Sequence, residues 1–200
     1  MSEGRPSKRA ADGEPALEIH PLTPDRWADL ERLFGERGAV GGCWCMWWRE
    51  TAAEFGRQAG AGNRRAFKAI VDEGRAPGLL AYRDGEPVGW CAVAPREEYG
   101  RLQRSPTLGP VDDRPVWSIT CFYIERRHRK RGVAAALLRA AARHAVAQGA
   151  RIVEGYPVDR AKLSSFDFTG TVSMFRDASF AEVARRSPTR PIMRHVASDH

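Results

Sequence analysis

The chain contains no apolar run approaching the ~18 residues of a membrane-spanning helix. Its opening, MSEGRPSKRAADGEP, has none of the apolar h-region of a secretory signal. Cysteine is scarce: Cys43, Cys45, Cys91 and Cys121 are the four present, they form no CxxC pair, and no histidine stands near Cys43-x-Cys45 in sequence. That spacing argues against a structural zinc site, and a cytosolic chain of this size has little need of disulfides, so free thiols and no bound metal are expected. Also missing are GxGxxG and GxxxxGK[ST], the signatures of dinucleotide and P-loop folds. No internal repeat and no Pro- or Gly-rich linker divides the sequence. The absences leave one cytosolic domain.

What is there fits that reading. Two hundred residues, 42% apolar and 28% charged, suit a globular domain with a sizeable core. The net charge of +7 is local rather than general. Residues 125–131 hold five Lys/Arg and one Glu (+4), residues 1–9 hold three Lys/Arg and one Glu (+2), and the rest carries +7 − 4 − 2 = +1. A basic surface for nucleic acid is therefore not expected. Residues 1–15, polar and without apolar periodicity, read as a disordered tail, with the folded domain over 16–200.

The stretch that organises the chain is WSITCFYIERRHRKRGVAAALLRAAARHAVAQGARIVEGYPVD, residues 117–159. Residues 117–124 are β-branched and aromatic and predict a strand. A charged turn follows, and then a helix over residues 132–148, with Val133, Leu137, Ala141 and Ala145 at helical spacing and Gly149 closing it. Residues 151–156 predict a second strand. Within the turn, Arg129-Lys130-Arg131-Gly132-Val133-Ala134 places small residues where strand hands over to helix. Gly132 tolerates positive φ and close backbone approach, and the helix N-terminus and arginines favour an anion. By these six residues alone, the turn could equally be a solvated basic turn before a core helix.

With the strand before it and the helix and strand after it, the Arg-x-x-Gly-x-Ala spacing resembles the acetyl-CoA signature of the GNAT N-acetyltransferase superfamily. The resemblance extends over about residues 16–196. It implies an α/β fold whose central, mostly antiparallel sheet carries one parallel, splayed strand pair between flanking helices. It also implies acetyl-CoA as co-substrate, its pantetheine bonding the backbone of Phe122, Tyr123 and Ile124 and its pyrophosphate lying on Arg129, Lys130, Arg131, Gly132, Val133 and Ala134. A backbone N–H of Phe122 or Tyr123 would face the oxyanion.

The sequence departs from the family at its usual acid and base. The tyrosine many members carry on the C-terminal helix, in a pattern like LYEKxGF, is Phe175 here, which can only pack against the cofactor. The glutamate some members carry on the strand before the motif is Ser118. Tyr156 and Glu154 remain as the expected acid and water-relayed base, since period two puts them on one strand face. The competing reading makes Glu154 a structural ion pair and Tyr156 a packing residue. Cys121, Ser118 and Thr120 are further candidates, and release of the thiolate to solvent needs no acid at all.

Elsewhere, residues 16–20 predict a short strand. Thr23-Pro24-Asp25 predicts a helix start, followed by an apolar face of Trp27, Leu30, Leu33 and Phe34. Trp44, Trp47 and Trp48 sit with Cys43 and Cys45 in one six-residue passage. They form either a core plug or, as the family resemblance suggests, a wall of the acceptor site, or both. Residues 63–73 predict a helix and residues 77–94 a hairpin around Asp84-Gly85. Residues 95–115 predict a polar loop, either lid or surface excursion. Thr169-Gly170-Thr171 predicts a helix entrance, with closing strands over residues 181–186 and 190–196. The expected acceptor is a small-molecule amine, with no nucleic acid and no membrane partner and with a homodimer left open. Acetylation of a protein N-terminus or lysine, or a CoA-binding sensor without turnover, are the alternatives.

Overall fold

The computed structural model describes residues 16–160 and 167–197. The tail expected over residues 1–15 lies outside them. Seven strands form one sheet: β1 (Glu18–Pro21), β2 (Gly78–Arg83), β3 (Glu86–Pro95), β4 (Trp117–Ile124), β5 (Ile152–Gly155), β6 (Ala181–Arg185) and β7 (Pro191–Val196). Their order is β1-β2-β3-β4-β5-β7-β6. Every neighbouring pair is antiparallel except β4 and β5, which run parallel. The β2–β3 hairpin turns through Asp84 and Gly85, both at positive φ (51° and 75°), as the Asp-Gly signal predicts.

One face of the sheet is covered by α5 (Val133–Ala147) and the short α6 (Val172–Arg176). Val133, Leu137, Leu138, Ala141 and Ala145 of α5 pack there with Leu79, Cys91, Ile119, Phe122, Phe175 and Met193. The small alanines let the helix lie close to the strands. On the other face lie α1 (Trp27–Phe34), α2 (Ala52–Gln58) and α3 (Ala61–Asp72). Trp27, Leu30, Leu33, Phe34, Phe67 and Val71 from α1 and α3 meet Leu80, Trp90 and Trp44 in a second core. Thr51 and Glu54 form a capping box at the start of α2, a helix the apolar pattern does not reveal.

Residues 96–116 are neither lid nor surface excursion. A single 3₁₀ turn, Arg96–Glu98, leads into the short α4 (Gly100–Gln103). Tyr99, Leu102 and Leu108 are buried there with Tyr156 and Ile192 in a third core cluster. The segment is polar in composition because its few apolar residues all point inward, while Arg96 is buried as an ion-pair partner.

Candidate active site

Two irregularities in β4 create the site. Against β3, Cys121 pairs with Ala92 but Ile119 pairs with Val93, so Thr120 is an extra residue, a β-bulge. The bulge shifts the alternation: Ile119 and Phe122 both join the α5-side core, while Cys121 and Tyr123 turn toward the α1 side. Against β5, pairing covers only Trp117 to Ile119 with Val153 to Gly155. Beyond it the strands part, and the free side of β4 meets Phe168, whose carbonyl accepts the Phe122 N–H at 2.6 Å. Because N–H directions alternate along a strand, the Tyr123 N–H turns the other way, toward β3.

A cleft of about 570 Å³ opens beside this stretch, lined among others by Phe34, Trp47, Trp48, Phe55, Tyr123 and Phe168. Cys43, Cys45 and Cys121 also line it, and among the described lining residues Arg190 is the one that is charged. The loop that brings Cys45 there is conformationally unusual. Ala39, Trp44 and Cys45 all have positive φ, and a Cβ on Gly38 would collide with the Trp44 indole. Trp90 Nε1 donates to Cys45 Sγ at 3.2 Å. Hydrogen bonding with Cys121, with support from Trp90 and Arg49, holds the Cys45 thiol below its ordinary range, while that same Cys45 contact, ahead of burial, pushes Cys121 well up. Burial raises Cys43 to about 11. All four cysteines are free thiols.

The three tryptophans divide. Trp44 is 4% exposed and packs against Trp27 and Phe34, with ring centroids at 6.1 and 5.7 Å, so it belongs to the core. Trp47 is 37% exposed and lines the cleft, its ring covered by the Arg101 guanidinium at 3.9 Å and met edge-on by Phe55. Trp48 lines the cleft while packing partly on the third core cluster.

Gly132, with φ of 77°, is the N-cap of α5, no side chain caps that first turn, and a Cβ on the glycine would meet nothing within 4 Å. Lys130 also has positive φ (60°), and Arg129 Nε donates to the Ile124 carbonyl at 3.0 Å, folding the turn back over the end of β4. Arg129, Lys130, Arg131 and Gly132 are exposed, Ala134 is half-buried and Val133 is core. The open backbone at the start of a fifteen-residue helix, surrounded by basic side chains, fits an anionic pyrophosphate.

Tyr156 and Glu154 do share one face of their strand, but that face is the interior. Both are 0% exposed. Arg96 Nη1 donates to Glu154 Oε1 and to the Tyr156 hydroxyl, each at 2.6 Å, and Arg194 Nε donates to Glu154 Oε2 at 2.7 Å. The Tyr156 hydroxyl donates to Glu154 Oε1 at 2.7 Å and lies 2.7 Å from Ser118 Oγ. Burial, with the Glu154 charge beside it, pushes the Tyr156 phenol well above its ordinary value. Neither residue lines the cleft. Where an acid and a base are expected, the structure has a buried ion-pair network, which Ser118 joins through the Tyr156 hydroxyl.

Phe175 is likewise 0% exposed, T-stacked on Phe122 and Phe180 at 6.4 and 5.0 Å. Its ring fills the space a Cβ on Gly155 would need. In sequence Arg190 marks only the start of a closing strand, and nothing in an Arg-Pro step distinguishes a cleft-lining side chain.

The family model of the Acetyltransferase (GNAT) family matches residues 44–161. The chain belongs to the GNAT acetyltransferase family. The match takes in the tryptophan passage, the basic turn and α5 together. Solved structures agree on the fold. The GNAT acetyltransferase of Streptococcus pneumoniae superposes with a TM-score of 0.54 at 14% identity, covering 92% of this chain and 100% of its own. The PaiA N-acetyltransferase of Thermoplasma acidophilum, solved in complex with coenzyme A, gives 0.52 at 13% identity over 91% of this chain and 99% of its own. A chain of the NatC complex bound to Gag peptide and CoA gives 0.54 at 10% identity over 91% and 99%. No curated protein matches the sequence. Among the described residues, no helix of this GNAT chain is long and apolar enough to cross a membrane, and no group of three or more His, Cys, Asp or Glu could hold a metal.

Proposed function

We propose that the chain moves an acetyl group from acetyl-CoA to the amine of a small molecule held in the cleft. One observation carries this reading: the anion-ready start of α5 and the apolar cleft meet along the same short stretch of β4, residues 121–124. A cofactor with its pyrophosphate on Arg129, Arg131 and Gly132 would run its pantetheine along that strand. The acceptor would come from the side of Trp47, Trp48 and Phe55. A partly open, aromatic-lined cleft of this size suits a small organic amine.

In the reaction the amine nitrogen attacks the thioester carbonyl carbon, the C–N bond forms, and the C–S bond breaks as the oxyanion collapses. The proton lost by nitrogen matches the one gained by the CoA thiolate. Of the two N–H groups expected at the oxyanion, Phe122 is the one that faces the parted side of β4, where the Phe168 carbonyl now accepts it. Tyr156, Glu154 and Phe175 hold the walls and do not touch the reactants.

The test is a screen of amines with acetyl-CoA, following free thiol release. A reading without turnover, in which the domain only binds CoA, is favoured by one fact: among the described residues, no carboxylate, histidine or lysine lines the cleft. Binding of acetyl-CoA with no transfer to any amine would select it.

A further inference from the structure

The cleft is polarised in a way that its aromatic lining hides. Among the described lining residues the one that is charged is Arg190, at the turn into β7. The Arg190 Nε is buried and has no hydrogen-bond partner among the described residues. Its Nη2 makes a single long bond, 3.3 Å, to the Tyr156 carbonyl. The nearby carboxylate, Asp167, is engaged by Arg160, whose Nε donates to Asp167 Oδ2 at 3.2 Å. Among the described residues, Arg190 thus shares the field of the Asp167 carboxylate with a second guanidinium, that of Arg160. Burial drives the Arg190 pKa downward, the mark of a cation stripped of water without full compensation. A guanidinium in that state gains most from a carboxylate or other oxyanion, which it can engage with two parallel N–H bonds.

The same lining bears on the reacting amine. An alkylammonium would enter desolvated, with no carboxylate among the described lining residues to receive it, at a cost that a neutral amine does not carry. Nor do the described lining residues supply a carboxylate, histidine or lysine to strip its proton. An amine already uncharged at neutral pH, as when nitrogen is attached to an aromatic ring, needs neither. Trp47, Phe55 and Phe34 supply flat apolar surface for such a ring.

Resting on the acetyltransferase reading, we infer that the cleft takes an aromatic amine, uncharged at neutral pH, that carries an acidic group bound by Arg190. The probes are para-aminobenzoate, its neutral analogue para-aminobenzamide, and para-(aminomethyl)benzoate, which keeps the acid but presents an ammonium. Binding is read by calorimetry and transfer by thiol release from acetyl-CoA. The wild-type protein should bind the benzoate about tenfold or more tightly than the benzamide, as a charge-assisted hydrogen bond supplies. It should bind the aminomethyl compound at least about tenfold more weakly than para-aminobenzoate. Arg190→Met should erase the preference for acid over amide, and Arg190→Lys should keep part of it. Equal binding of acid and amide by wild type, a preference that survives in folded Arg190→Met, or an effect confined to acetyl-CoA affinity would each overturn the anion site. Equal binding of the aminomethyl compound would overturn the neutral-amine requirement. If the binding pattern holds but no acetyl group is transferred to any amine, the ligand class stands and the acetyltransferase reading fails.

Discussion

The Phe122 N–H and the Phe168 carbonyl meet at 2.6 Å, on the side of β4 where β5 has already parted from it. This hydrogen bond occupies the backbone group that a pantetheine would be expected to use. The Phe168 ring also lines the cleft. A cofactor bound along β4 would therefore compete with Phe168. Phe168→Gly, which removes the ring and loosens the segment's hold, should raise acetyl-CoA affinity several-fold, because the fraction of binding-competent protein rises. Calorimetric titration reads the change. Unchanged or weakened affinity in a folded variant would show that Phe168 and cofactor do not exclude one another.

The start of α5 should carry most of the cofactor's electrostatic affinity. Arg129 and Arg131 are exposed beside an uncapped helix N-terminus, so replacing both with alanine should weaken acetyl-CoA binding by more than about tenfold. Helical circular dichroism should stay intact, since neither side chain is part of a core. Full affinity in the double variant would remove the pyrophosphate from this turn.

The tryptophans separate stability from recognition. Trp44→Ala empties a space between Trp27 and Phe34 and should cost ~3–5 kcal/mol of unfolding free energy. Trp47→Ala opens a half-exposed wall, so the acceptor KM should rise while the melting temperature moves little. Denaturant unfolding and steady-state kinetics on the two variants decide it. Equal destabilisation in both, with acceptor kinetics untouched, would make the whole passage core.

Much of this architecture is legible in the chain itself. Residues 117–124 are strand as the β-branched run predicts, the Asp84-Gly85 turn forms, and Gly132 ends where a left-handed residue must hand over to a helix. These are local signals, and local physics decides them. What the chain does not display is direction. Period two places Glu154 and Tyr156 together, but only the packing of Arg96 and Arg194 against them shows that their shared face is the protein interior. Arg96 comes from a segment that reads as polar loop, far away in sequence. The bulge at Thr120 is equally silent, although it puts Ile119 and Phe122 together on the α5 side while Cys121 and Tyr123 turn to the α1 side.

The buried network has a pH signature through Asp112. Its carboxylate accepts Arg194 Nη1 at 2.7 Å, and that bond, with Arg114 adding to it, holds the acid well below the usual carboxylate range. A depressed folded-state pKa stabilises the fold above the unfolded value of ~3.9, and the contribution shrinks as pH falls below it. Asp112→Asn should lower the melting temperature at neutral pH and narrow the gap to wild type below about pH 4. A gap that stays constant across the acid range would show that the Arg194 contact does not couple to folding.

Tyr156 and Glu154 test whether the strand interior takes part in chemistry. The phenol has three partners, Arg96, Ser118 and Glu154, within 2.7 Å, and no exposed surface. Tyr156→Phe keeps the ring in its packing and removes only the hydroxyl. The partners left behind are buried, so stability should fall by ~1–3 kcal/mol. With Tyr156 fully buried and not lining the cleft, kcat should stay within a few-fold of wild type. Glu154→Gln strands part of the charge on Arg96 and Arg194 and should cost more, ~3–5 kcal/mol, again with acetyl-CoA affinity preserved in the fraction that folds. The expectation drawn from sequence is the opposite: a loss of ~10²-fold or more in kcat on removing the hydroxyl, within the range of general acid catalysis. That loss, with stability unchanged, would place Tyr156 back among the reactants and require the network to open during turnover.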